Sequence, residues 1–284
     1  MKKYLLGLLA IVSLAQSCKK ESDSNNKRKD MPRHVTTFQQ SALEISKRNG
    51  GTASIVLIAG YKSEMTTWEQ LYKQLDPNMT VFTYNRPGVG RSADIPGKRD
   101  AQTIAKEMKA VLQANGVKPP YVFVAHSMGG IYARMFYYQN PSLVKGLVLV
   151  DATHERQIET LLARVDDEAT RDFILQQMEA NFQDSLAVIP AGSVKEEFRS
   201  NYKENYEQIK QFGPITNIPV YVLTSTKIGE DTNPVIVEIT KNLHAQWASA
   251  AGAKGKFVTT DKSGHYIQVE EPHLVAAGIR WVMQ

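Results

Sequence analysis

The 284-residue sequence predicts an α/β fold, a doubly wound and mostly parallel sheet with a helical cap insertion, on three observations. Apolar runs rich in β-branched and aromatic residues recur at 53–59, 79–84, 121–125, 144–150, 219–224 and 256–260. Such runs mark strands buried on both faces. Segments with apolar residues at helical spacing separate the first four, and strand–helix alternation over this length implies a parallel sheet covered on both sides. The alternation breaks once, over 153–217, where helix formers and charges dominate. Ligand sites in such sheets lie at the carboxyl ends of the strands, which here present Gly60-Tyr61, Asn85-Arg86, His126-Ser127 and Asp151.

Residues 1–17 stand apart from that pattern. Lys2 and Lys3 precede an apolar core at 4–14 and the small-residue approach Ala15-Gln16-Ser17, the pattern of a secretory signal peptide. Cys18, the only cysteine, excludes an internal disulfide. Its placement resembles the lipobox of bacterial lipoproteins, with Gln16 an unusual residue there. The resemblance implies a lipid on Cys18 and an exported protein of the bacterial cell envelope, anchored to a membrane and facing periplasm or exterior. Residues 18–33 are polar and highly charged, with too little apolar surface to order themselves, and read as a tether. The formal charge falls from +5 to +3 without Lys2 and Lys3, and much of the rest is in the tether; no nucleic-acid partner is expected.

The domain is expected to span 34–284, with the cap at 153–217 inserted. Short alternating stretches at 34–46 read as an edge hairpin, turned by Asn49-Gly50-Gly51 into the first buried strand. Thr67 with Gln70 three positions on suggests a capping box, followed by the stripe Trp68, Leu71, Tyr72, Leu75. The loop NRPGVGRS at 85–92 contains Pro87, Gly88 and Gly90; without a third glycine and an immediate helix it is no phosphate loop, and it reads as packing near the site. The helix at 101–115 stops at Gly116. Within the insertion, helices are expected at 157–164, 168–182 and 194–212. Leu161, Leu162, Phe173, Ile174, Met178, Phe182 and Phe198 either line a substrate pocket or pack the cap on the main domain. Asn233-Pro234 opens a further helix, and 272–283 closes the chain.

Chemistry concentrates at Tyr121–Gly130. The buried run YVFVA leads at once into HSMGG, placing Ser127 between Ala125 and Gly129 in GxSxG spacing, with alanine for the first glycine. Small residues are needed because the serine occupies a tight strand-to-helix turn. The helix at 128–139 follows at once, so Ser127 lies at its N-terminus, where free backbone N–H groups favour negative charge. A serine hydroxyl needs a base to take its proton, and a neutral imidazole supplies one near pH 7. Of the six histidines, His265 alone lies on a glycine-containing loop past a strand end. His126 reads as packing, pointing away from the turn, and His154, His244 and His273 as surface or cap contacts. No spacing among them suggests a metal site.

Together LIAG, YNRPGVGRS, AHSMGG, LVLVDATH and SGHYIQ resemble the α/β-hydrolase superfamily from about Ser54 to the C-terminus. AHSMGG is similar to the serine motif of bacterial lipases and esterases. Ala59-Gly60 departs from the HG of many members. The resemblance implies Ser127 as nucleophile, His265 as general base and a chain order of serine, acid, histidine. The acid is Asp151, directly at a strand end, or Asp231, with Glu230 beside it, after the strand at 219–224, the commoner place; Asp151 is preferred. The oxyanion hole would use the backbone N–H groups of Met128 and Tyr61. The expected function is cleavage of a carboxylic ester or related acyl bond of a small molecule, without metal or organic cofactor. The alternative is a non-catalytic small-molecule-binding protein on the same scaffold.

Overall fold

The computed structural model describes residues 30–51, 53–229 and 232–284. The signal segment and Cys18 lie outside them. Among the described residues the strands are His34–Phe38 (β1), Ser41–Arg48 (β2), Ser54–Ile58 (β3), Thr80–Tyr84 (β4), Tyr121–His126 (β5), Val144–Val150 (β6), Val220–Ser225 (β7) and Gly255–Thr260 (β8). They form one sheet in the order β1-β2-β4-β3-β5-β6-β7-β8. From β4 to β8 every pairing is parallel, and β1 and β2 add an antiparallel edge. The doubly wound, mostly parallel α/β prediction holds. The edge hairpin is present too, closed by a two-residue turn in which Gln39 and Gln40 take φ of 48° and 66°. Both positive angles suit the twist of a two-residue hairpin, yet glutamine carries no turn signal.

The helices among the described residues are Glu69–Tyr72 (α1), Ala101–Ala114 (α2), Gly129–Gln139 (α3), Gln157–Leu162 (α4), Glu168–Val188 (α5), Ser193–Tyr202 (α6), Glu204–Lys210 (α7), Pro234–Ala250 (α8), Ile267–Glu270 (α9) and Pro272–Met283 (α10). Successive residues of each central strand face opposite sides, so the core has two layers. Val56, Phe82, Phe123 and Leu147 pack under Ile104, Met108, Ile131 and Met135 of α2 and α3. Ile55, Leu57, Val122 and Val148 face Trp68, Leu71, Val275 and Ile279 on the other side. Burial of these side chains, each worth roughly 1.5–3 kcal/mol, fixes the register of the sheet.

Several local expectations change. Thr67 forms no capping box: its hydroxyl donates to the Glu64 carbonyl, and 65–68 is a 3₁₀ turn ahead of the four-residue α1. Asp100 is the real cap of α2, its carboxylate accepting the Thr103 N–H at 2.8 Å. The tether ends earlier than expected, because Met31 is buried in the second core layer and Asp30 pairs with Lys73. In the insertion, the helix predicted over 194–212 splits at Lys203. Ser193 and Asn205 anchor the two halves to the main domain, through Asp94 (2.6 Å) and the Ala101 N–H (2.7 Å). By contrast, α5 buries only Ile174 and Phe182. No helix among the described residues is long and apolar enough to cross a membrane.

Candidate active site

Ser127 stands at the end of β5 with φ of 53°, the left-handed region that costs an L-residue about 1 kcal/mol or more. The surroundings hold it there. Its N–H donates to the Val150 carbonyl at 3.2 Å, and its carbonyl accepts the Thr153 N–H at 3.0 Å. A Cβ on Gly129 would lie 2.6 Å from the Ile58 carbonyl oxygen, and one on Gly130 would lie 2.5 Å from the Ala152 methyl. Gly129 is therefore required by the neighbouring strand β3 and Gly130 by the turn after β6. The first position of the motif tolerates alanine, since Ala125 is simply packed inside the core.

Asp151 follows β6 with φ of 41°, and its N–H donates to the Leu223 carbonyl at 2.7 Å. One carboxylate oxygen accepts the Ser225 N–H at 3.1 Å; the other accepts from His265 Nδ1 at 2.7 Å. Burial would raise the Asp151 pKa, but the hydrogen bond and charge of His265 outweigh it and hold the carboxyl below its ordinary range. The Nδ1–H bond leaves Nε2 as the basic nitrogen of a neutral His265. No hydrogen bond joins Ser127 to His265 among the described residues; such bonds commonly tighten only when substrate arrives. Asp231 and Glu230 lie outside the described residues.

On the other side of Ser127, a Cβ on Gly60 would be 3.4 Å from the serine hydroxyl. The N–H of Tyr61, next in the chain, and that of Met128, which heads α3, make no backbone hydrogen bond among the described residues. The Tyr61 ring packs on Phe198, which stacks on Phe182. Of the apolar residues assigned to pocket or packing, Phe198 thus reaches the site's own loop. Leu161 packs against Ile239 and Leu243 of α8, and Phe173 is 46% exposed.

The histidines correct the sequence reading. His126 does not point away: its ring lies 4.4 Å from that of His265, and its Nε2–H donates to the His265 carbonyl at 2.9 Å. Burial, then the neighbouring His265 charge, push its pKa down to about 3, so it stays neutral. His154 and His244 are buried rather than superficial; only His273 of the three is exposed. His244 Nε2–H donates to the Ala152 carbonyl at 2.6 Å while its Nδ1 accepts from Thr224 at 2.7 Å, bracing the turn that carries Asp151. His154 stacks on Trp247. Among the described residues no three His, Cys, Asp or Glu side chains gather as a metal site.

Comparison with known proteins places this geometry in a family. A family model for the alpha/beta hydrolase fold matches residues 50–272. The uncharacterised protein YqjL of Bacillus subtilis (strain 168) is 29% identical over 245 residues, 86% of this chain and 88% of its own. Solved structures share the fold. A thermophilic esterase from Thermogutta terrifontis is 19% identical with a TM-score of 0.58, over 88% of this chain and 97% of its own. The Cif epoxide hydrolase from Acinetobacter nosocomialis is 14% identical with a TM-score of 0.63, over 91% and 90%. With its sheet order and the family model spanning most of its length, the chain belongs to the α/β-hydrolase fold family.

Proposed function

We propose that this protein is a serine hydrolase that cleaves a carboxylic ester of modest size, or a related acyl bond, through an acyl-enzyme on Ser127. The observation that carries the reading is the 2.7 Å bond from His265 Nδ1 to buried Asp151, beside a serine in a left-handed turn. Ser127 Oγ attacks the carbonyl carbon as its proton passes to His265 Nε2. The carbonyl oxygen becomes an oxyanion and accepts from the Met128 and Tyr61 N–H groups. His265 then protonates the departing alkoxide, and the C–O bond to it breaks. Water, deprotonated by the same nitrogen, attacks the acyl-enzyme; collapse of the second intermediate frees the carboxylic acid and restores Ser127. Asp151 holds the tautomer and stabilises the imidazolium.

The similar folds include an esterase and an epoxide hydrolase, so fold does not select the bond. Serine at the elbow favours acyl transfer over epoxide opening, which in resembling enzymes proceeds through an aspartate nucleophile. A panel of p-nitrophenyl esters from acetate to octanoate tests the reading: wild type hydrolyses at least one, and Ser127→Ala loses about a thousandfold or more. Folded wild type inert to the whole panel would favour a non-catalytic binding protein. We propose too that Cys18 is lipidated and anchors the exported chain at the envelope, the support being the sequence of 1–18. Radiolabelled palmitate incorporated by wild type and lost in Cys18→Ala is the expected result.

A further inference from the structure

The loop facing Ser127 is gripped by a residue from another strand end. Arg86, in the loop after β4, is fully buried. Its Nη1–H donates to the Ala59 carbonyl at 2.8 Å and its Nη2–H to the Gly60 carbonyl at 2.7 Å. Its other bonds go to Glu197 of α6, from Nε at 3.0 Å and Nη2 at 2.7 Å. Glu197 also accepts from Tyr132 at 3.1 Å, whose ring lies beside the guanidinium. Burial disfavours the arginine charge, and the Glu197 carboxylate more than restores it.

A pair serving only to fasten the insertion would need the Arg86–Glu197 contact alone. Here the same guanidinium holds two successive carbonyls of the loop beside Ser127. The second, that of Gly60, belongs to the peptide unit that carries the Tyr61 N–H. In a trans peptide these groups point in opposite directions, so fixing the carbonyl fixes the aim of the N–H. A charged donor on the carbonyl also polarises the amide and strengthens it as a donor. The insertion holds Tyr61 a second time, the phenol donating to the Val194 carbonyl at 3.3 Å.

We propose that Arg86, locked by Glu197, is a positioning residue that aims and strengthens the Tyr61 N–H toward the developing oxyanion. The inserted helix α6 thereby supports acyl transfer without itself touching the reacting atoms. This rests on the serine-hydrolase reading above.

The chain contains a single Gly-Tyr step, Gly60-Tyr61. Full-length protein labelled with carbonyl-¹³C glycine and ¹⁵N tyrosine therefore gives one carbonyl–amide cross-peak for this peptide. Arg86→Lys is expected to move the Gly60 carbonyl upfield. It should lower kcat for a p-nitrophenyl ester about tenfold or more, with KM within about twofold, a partial version of losing one oxyanion donor. Glu197→Gln, which keeps Arg86 but removes its charged partner, should act in the same directions less strongly, and carries the test if Arg86→Lys does not fold. An unmoved Gly60 carbonyl, or unchanged kcat per Ser127 titrated by fluorophosphonate, in a folded variant would reduce the pair to a fold latch, even with a lowered Tm. Failure of the underlying reading looks different: wild type would hydrolyse no ester and its Tyr61 amide proton would not shift on exposure to fluorophosphonate, while the carbonyl would still report the clamp.

Discussion

Ser127 owes its exposure to residues that cannot grow. A methyl on Gly129 must displace the backbone carbonyl of Ile58, which belongs to a central strand with no freedom to move. Gly129→Ala should therefore destabilise by about 1–3 kcal/mol through overpacking and lower Tm, measured by thermal melting; an unchanged Tm would mean that the strand gives way. His126 offers a second prediction at this scale. Removing its bond to the His265 carbonyl and its ring contact should cost on the order of one hydrogen bond, about 1 kcal/mol. His126→Ala should thus lower kcat roughly five- to tenfold in ester hydrolysis, with Ser127 still titratable. The motif around Ser127 was legible because sterics dictate it. His126 was not, because period-two alternation says which face a strand residue takes but not how a turn bends the last one. Arg86 reads from the sequence as part of a packing loop, and two of its four bonds go to a helix more than a hundred residues later.

At the scale of elements, the apolar runs and cap signals located every central strand, and Asn233 and Gly116 marked helix ends where expected: Asn233 caps α8, and Gly116 takes φ of 62°. The insertion was less legible. Its helices hold on through polar pairs with distant partners, as Glu197 and Asn205 do, and such pairs leave no periodic trace. A neighbouring pair yields a pH prediction. Glu155, just after β6, accepts from Arg134 of α3 at 2.7 Å. Burial would raise its pKa, but the Arg134 charge, His154 and the hydrogen bonds together outweigh it and hold it at about 2, against 4.5 ordinarily. A carboxyl depressed in the folded state stabilises fully above its unfolded pKa and loses that contribution as pH falls through its folded one. Glu155→Gln should therefore be less stable than wild type by about 3 kcal/mol at pH 7. The gap should close between about pH 4.5 and 2 in urea melts taken across pH; a pH-independent gap would rule out the charge as its source.

For the whole molecule, the sheet delivers residues far apart in sequence to one edge: Gly60-Tyr61, Arg86, Ser127, Asp151 and His265 all follow strand ends. That convergence was predictable because parallel strands share a carboxyl end. The bond between Asp151 and His265 was not, since candidate acids follow two strands of the same sheet and only the three-dimensional path brings the Asp151 carboxylate to His265. Ser127 is proposed as a nucleophile activated by His265 and Asp151. The most direct measurement is the second-order rate of fluorophosphonate labelling of the full-length protein and its variants. This activation predicts labelled wild type, no labelling in Ser127→Ala, a fall of about a hundredfold or more in His265→Ala and Asp151→Asn, and a change under about twofold in Asp231→Asn. Labelling of Asp151→Asn at the wild-type rate, or folded wild type that does not label, would contradict it.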